Sequence, residues 1–294
     1  MPVEISNQKL TAAFSKRGGE LVSLKDAQGR EYLWSGDPAH WSYHSPVLFP
    51  FVGKQMGGAF RHGGKEYPMG QHGFARTADF VLQEQGTDRV SFVLRADPGT
   101  LEKYPFDFEL VNSYQVQDNR LLVSWQVTNP SATDTLYFQI GAHPAFLTPA
   151  YGGGKKEDCS IRFPVGRSYR YIRIDLSAGA ADPDHVYPLE PDENGRLAIR
   201  PGLFDIDTFI FEDGQVEEAS LCGPDGKPYL TVRCKGFPYF GIWSPSDEAP
   251  FVCLEPWYGR LDDRGFAGDI SKKTGIQSLG PGCDFRAGYE IEIC

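Results

Sequence analysis

Along much of this chain hydrophobic residues recur at every second position, the period of a strand with one buried face. Phe106, Phe108, Leu110, Asn112, Tyr114 and Val116 share one parity; Leu121, Val123, Trp125 and Val127 repeat it after the turn Asp118-Asn119. Asn129-Pro130-Ser131 breaks the run, and Leu136 to Ala142 resumes it. This spacing predicts a three-stranded antiparallel meander. Upstream, Phe80-Val81-Leu82 and Val90 to Leu94 flank Gln85-Gly86-Thr87-Asp88, which predicts a hairpin. Downstream, Ser160 to Phe163, Ser168 to Ile174, Thr208 to Phe211, Ser220 to Cys222, Tyr229 to Arg233, Gly241 to Trp243, Phe251 to Leu254 and Tyr289 to Ile293 are strand candidates. Gly223-Pro224-Asp225-Gly226 is a turn between two of them. Helical turns are expected at Gly99 to Lys103 and Asp269 to Lys273, and loops at Ala150 to Asp158 and Leu176 to Pro201.

Composition agrees with this all-β, largely antiparallel reading. The 33 glycines and 22 prolines break helices and punctuate turns. The strand style is the same on both sides of each loop-rich stretch, so residues 1–294 are expected to form one domain. A net charge of −10 argues against nucleic acid and anionic membranes as partners and leaves a small molecule. The six cysteines form no CxxC pair, and a chain this long builds a core without staples. Met1 to Thr11 lacks the basic and apolar regions of a signal peptide, which implies a cytoplasmic protein with reduced, mostly buried thiols. No apolar run reaches the ~18 residues of a membrane span.

Three residues stand where chemistry is usually presented. His72 lies in Gln71-His72-Gly73-Phe74-Ala75-Arg76, and His143 in Gly141-Ala142-His143-Pro144-Ala145-Phe146, each beside a residue that ends regular structure. Parity groups His143 with Tyr137, Gln139 and Gly141, away from the apolar Leu136, Phe138 and Ile140. The plain alternatives are a satisfied core histidine for His143 and a loop histidine packed on Phe74 for His72. Glu255 follows the apolar run Ala249 to Leu254 and precedes Pro256-Trp257. A carboxylate there loses hydration, so its pKa rises and it suits a general base, unless backbone N–H groups or an arginine hold it as a structural anion. His40 and His44 are four apart, but Pro38 and Pro46 make a helix doubtful and no third ligand is near, so no metal is expected. Gly152-Gly153-Gly154-Lys155-Lys156 lacks the Ser/Thr of a phosphate loop and reads as a solvated loop. Trp41, Tyr43, Phe146, Trp243 and Trp257 are aromatic candidates for stacking on a sugar.

The ordered set Phe49-Pro50-Phe51-Val52-Gly53, Gln71 to Arg76, Gly141 to Phe146, Asp205-Ile206-Asp207-Thr208-Phe209 and Leu254-Glu255-Pro256-Trp257 resembles the aldose 1-epimerase family, closest to its LacX-like branch. The resemblance runs from about Leu10 to Ile293. It implies a galactose mutarotase-like β-supersandwich with an open sugar cleft and few short helices. It implies Glu255 as general base, His143 as general acid near the ring oxygen, and His72 as a second active-site histidine. Asp207 matches a sugar-binding aspartate. The family often carries an arginine where this chain has Lys54, which lacks the bidentate fork, and Arg76 is expected to supply that donor. The implied reaction interconverts the α and β anomers of a free monosaccharide without cofactor or metal, in a monomer or homodimer. The rivals are a hexose-6-phosphate mutarotase with Lys54, Arg61 and Arg76 around the phosphate, a sugar-binding protein without turnover, and a glycosidase pairing Glu255 with Asp207.

Overall fold

Alternation decides which face each long strand buries. In Glu109–Gln117 and Arg120–Thr128 every second residue is buried, Leu110, Asn112, Tyr114 and Val116 on one and Leu121, Val123, Trp125 and Val127 on the other. The two strands pair antiparallel, with Tyr114 opposite Val123 and Asn112 opposite Trp125. The computed structural model describes residues 3–149 and 154–294. Among these, two large antiparallel sheets of nine and eight strands dominate. One core lies between them, joining Leu110, Val123, Leu230 and Ile291 of the nine-stranded sheet to Phe209, Ile242, Val252 and Leu254 of the eight-stranded one.

The expected hairpin forms as Val81–Gln85 against Arg89–Arg95. The helical turns form at Pro98–Lys103 and Ile270–Lys272, the first closed by an Asp97–Thr100 capping box. No helix of the described residues is long and apolar enough to cross a membrane. The cysteines are all unpaired; four are buried, and Cys283 and Cys294 are exposed.

Several expectations are corrected. Leu136 to Ala142 is not the third meander strand. It splits at Gln139: Leu136–Phe138 pairs with Gln277–Leu279, and Ile140–Ala142 joins the eight-stranded sheet. Fully buried Gln139 accepts from the Val52 N–H and donates to the Thr274 carbonyl, which pins the break. The place beside Arg120–Thr128 is taken by the C-terminal Asp284–Ile293. Alternation reports a face, not a neighbour. The stretch Leu176 to Pro201 is not all loop, since Ala180–Leu189 and Arg196–Ala198 are strands. The first of these is an edge strand, mostly solvated and carrying Pro183 and Pro188, so it shows neither alternation nor a proline-free run. Three N-terminal strands, Val3–Ser6, Leu10–Ser15 and Glu20–Asp26, form a further sheet outside the expected elements.

Residues 150–153 of the expected loops lie outside the described residues. Lys156, read as solvated, is buried, and its ammonium donates to Ser244 Oγ at 2.9 Å and to the Ser246 carbonyl at 2.6 Å.

Candidate active site

The strand Phe251–Tyr258 carries the centre of the site. Its even residues Val252 and Leu254 point into the core between the sheets. Its odd residues Cys253, Glu255 and Trp257 therefore point to the opposite face of the eight-stranded sheet. The strand does not stop at Leu254 as its composition suggests but continues through Pro256 to Tyr258. Glu255 is thus held in the middle of a strand. Ala145 pairs with Cys253 and Gly141 with Trp257, so the same register sets His143 opposite Glu255, where Pro144 interrupts the ladder. Facing residues of an antiparallel pair have Cβ atoms about 4.5–5.5 Å apart. The result is His143 Nε2 at 3.3 Å from Glu255 Oε2.

Trp257 lies across two glycines. A Cβ at Gly141 would come within 2.6 Å of its ring, and one at Gly241 within 2.3 Å. Its indole N–H donates to the Ala142 carbonyl at 3.1 Å, fixing the ring as one wall.

His72 arrives from a different segment. The 49–53 stretch leaves the strand Val47–Leu48, and Phe49 bridges to Gly73. A Cβ at Gly73 would fall 2.3 Å from the Phe49 carbonyl oxygen, so only glycine permits this approach. The Gly53 N–H donates to His72 Nδ1 at 3.1 Å, which leaves the proton of the neutral ring on Nε2, where the Gln71 side-chain amide lies 3.1 Å away. His72 and His143 meet edge to face at 5.4 Å between centroids. His72 and Asp207 both have positive φ, 66° and 67°. Such a backbone is uncommon outside glycine and clusters at functional sites.

These residues line one cleft of about 350 Å³. All seven expected site residues reach it: Glu255, His143, His72, Asp207, Arg76, Lys54 and Trp257. Trp41 stacks on His143 at 4.7 Å, and Trp243 meets the same ring edge-on at 5.3 Å. Arg76 donates to the Gln71 carbonyl and sits over the Tyr43 ring. Of the other stacking candidates, Phe146 is fully buried core. Arg61 lies outside the cleft, paired with Glu66 at 2.8 Å. His40 packs edge-on to Trp34, and His44 Nδ1 faces Glu20 at 3.7 Å. Sequence reasoning did not single out Thr208, which donates to Asp207 Oδ1 at 2.7 Å, or the wall residues Leu176 and Leu261. It also passed over Cys253, the buried neighbour of Glu255 on the same strand face. Parity with Glu255 is the signal that could have found it.

The electrostatics follow from burial. Glu255 is 1% exposed, and no donor meets its oxygens at good hydrogen-bond geometry, the Trp257 indole N–H and His143 Nε2 being the nearby nitrogens. Burial, with the charge of Asp207 behind it, pushes its carboxyl well above the usual range. Burial also holds the His143 imidazolium down, to about 3. His72 is lowered by burial and then by His143, Arg76 and Lys54. Both shifts favour the uncharged form of each group, and transfer of a proton from the carboxyl to the imidazole across the 3.3 Å between them would give carboxylate and imidazolium.

The two large antiparallel sheets are those of a galactose mutarotase-like fold. The chain matches the aldose 1-epimerase family over residues 1–174. It is 30% identical to the plasmid protein LacX of Lactococcus lactis subsp. lactis, covering all of this chain and 99% of the relative. A galactose mutarotase related enzyme from Lactobacillus acidophilus superposes with a TM-score of 0.92 at 32% identity, covering 100% of this chain and 97% of the other. A galactose mutarotase-like protein from Lactobacillus casei gives 0.91 at 32%, with both chains fully covered. This chain belongs to the aldose 1-epimerase family and is similar to its LacX-like members.

Proposed function

We propose that this protein is an aldose 1-epimerase that interconverts the α and β anomers of a free aldose by opening and reclosing the ring. The observation that carries the reading is the buried Glu255–His143 pair, a carboxyl and an imidazole 3.3 Å apart that both line the cleft. A bound sugar hydroxyl donates the hydrogen bond that Glu255 lacks, which lowers its pKa and lets the carboxyl proton pass to His143. Glu255 then takes the proton of the C1 hydroxyl while His143 gives its proton to the ring oxygen. The ring opens to the aldehyde, the C1–C2 bond rotates, and closure from the other face returns both protons. His72, neutral with its proton on Nε2, donates to the sugar and stabilises charge on the ring oxygen. Asp207, Arg76 and Lys54 take hydroxyls, and Trp257 supplies an apolar wall.

Each positioned acid or base typically contributes roughly 10²–10⁴-fold. Polarimetry of a freshly dissolved single anomer tests the reading on wild type and Glu255→Gln. Near-normal rates in the variant would remove Glu255 as the base.

A phosphorylated aldose is the second reading, favoured by two cations that line the cleft, Lys54 and Arg76, both of which act on His72. Arg61 does not reach the cleft, so the expected trio is reduced to a pair. Comparing rates on glucose and glucose 6-phosphate decides between them. We further read the chain as one folding unit, because a single core cluster draws on strands from both halves. The cytoplasm is the compartment that suits four buried free thiols and a free-sugar substrate.

A further inference from the structure

Cys253 is a buried thiol that no step of the proposed reaction uses. It shares a strand face with Glu255 two residues on, and His143 stands opposite Glu255. The three side chains converge so that one sulfur, one imidazole nitrogen and one carboxylate oxygen lie within 4.8 Å of one another. We propose that His143, Cys253 and Glu255 bind a thiophilic divalent cation of the Zn²⁺ class, and that its occupation blocks the acid/base pair.

Several features fit that ligand class. Thiolate, imidazole and carboxylate are the donor types of tetrahedral zinc, at bond lengths of about 2.0–2.3 Å. Two nitrogen or oxygen ligands at ~2.0 Å from one tetrahedral ion stand roughly 3.3 Å apart. The His143 Nε2 to Glu255 Oε2 separation is already 3.3 Å. Only the Cys253 sulfur has to close on the ion. Both Glu255 oxygens lack a hydrogen bond in a residue that is 1% exposed. A bare carboxyl in so dry a place calls for a donor or a cation. A sugar hydroxyl answers that need for Glu255 but leaves Cys253 unexplained; a metal uses all three. His143 and Glu255 line the cleft, which is the ion's way in, while Cys253 is fully buried and does not line it. On binding, the thiol and the carboxyl release their protons to solvent, leaving the ion bound by two anions and a neutral imidazole.

Binding does not depend on the proposed function, whereas the block of turnover does. Exposed Cys283 and Cys294 would bind metal on their own, so the test uses a Cys283→Ser/Cys294→Ser background. That protein is titrated calorimetrically with Zn²⁺, and with Co²⁺ as a spectroscopic probe. We expect one equivalent bound, with a sulfur-to-cobalt charge-transfer band. Adding Cys253→Ala should abolish the band and weaken Zn²⁺ binding by at least about 10–100-fold, with near-UV circular dichroism confirming the fold. Zn²⁺ should inhibit anomer exchange in competition with sugar, and Cys253→Ala should keep its turnover while losing that sensitivity. No stoichiometric binding, equal binding with and without Cys253, or a cobalt spectrum lacking the sulfur band overturns the proposal. If metal binds as described but no sugar is turned over, the site stands and the epimerase reading fails; the reverse result sinks the site alone.

Discussion

Two clusters of buried charge sit on neighbouring parts of this molecule and are built in opposite ways. Around Arg260 and Lys273 the charges have partners. Arg260, 2% exposed, donates to Glu212 at 2.8 Å and to the Leu261 carbonyl at 3.1 Å, and faces Asp263 at 2.7 Å. Lys273 meets Asp262 at 2.5 Å, and the other Asp262 oxygen accepts from the Met56 N–H. Around Glu255 and His143 the groups are as deeply buried, yet the carboxyl oxygens and His143 Nδ1 take no hydrogen bond. The first cluster resembles a strut: it ties the 54–56 segment, and with it the Lys54 backbone, to the 260–263 segment that carries Leu261 of the cleft wall. The second withholds its bonding capacity, which is what a site needs if a substrate is to complete it. The contrast is one of degree, since Asp263 Oδ1 also lacks a hydrogen bond and is held by its ion pair to Arg260.

The contrast predicts opposite responses to mutation. The largest effect should be on turnover at the unsatisfied pair. Glu255→Gln is expected to lower anomer exchange by roughly 10²–10⁴-fold while leaving thermal stability unchanged or raised, read by polarimetry and calorimetry. A variant that lost stability in step with activity would make Glu255 a structural anion. His143→Asn should lower turnover by at least an order of magnitude, again without unfolding.

Next in size is the strut. Lys273→Ala strands Asp262 in the interior and should cost about 3–5 kcal/mol in urea unfolding. If that variant were as stable as wild type, the contrast between the clusters would collapse.

Stability against pH sharpens the comparison further. Folding raises Glu255 above its ordinary 4.5 and lowers His143 from 6.5 to about 3. Unfolded, the two groups hold none above 6.5, one between 4.5 and 6.5, and two below 4.5. The pair's contribution falls as pH rises above 4.5 for as long as the fold keeps the Glu255 proton, and the histidine opposes that fall up to 6.5, because the unfolded chain is losing the proton that folded His143 does not hold. It also falls as pH drops below 4.5, because the unfolded chain binds one more. Glu255→Gln leaves only the histidine, so stability should decline with falling pH from 6.5 onward. His143→Asn leaves only the acid, so stability should decline with rising pH from 4.5 onward. Urea titrations of the three proteins at several pH values read these slopes, about 1.4 kcal/mol per unit where one proton is at stake. Parallel curves for all three would refute the two opposed shifts.

The smallest effects belong to the exposed ion pairs of the nine-stranded sheet. Arg95→Ala, which removes a 2.7 Å contact to Glu109, should change stability by about 1 kcal/mol or less.

Much of this was legible in the chain. The parity of Leu110 to Val116 and of Leu121 to Val127 set buried faces that the fold keeps, because a two-residue period leaves each side chain only one of two sides. The motifs around His72, His143, Asp207 and Glu255 marked residues that all line one cleft. Partners were not legible. Leu136 to Ala142 had the right faces but the wrong neighbours, and the polar edge strand Ala180–Leu189 carried no apolar signal at all.

Residue types, strand periods and the punctuation of glycine and proline are local properties, so the sequence by itself determined an all-β chain and the candidate residues of its cleft. Register is not local. That His143 stands opposite Glu255, that Gly141 and Gly241 make room for Trp257, and that Cys253 lies beside the carboxyl all follow from which distant strands pair and in what alignment. Only the folded sheet brings those segments together, and in doing so it strips their water away, which is what shifts both members of the Glu255–His143 pair.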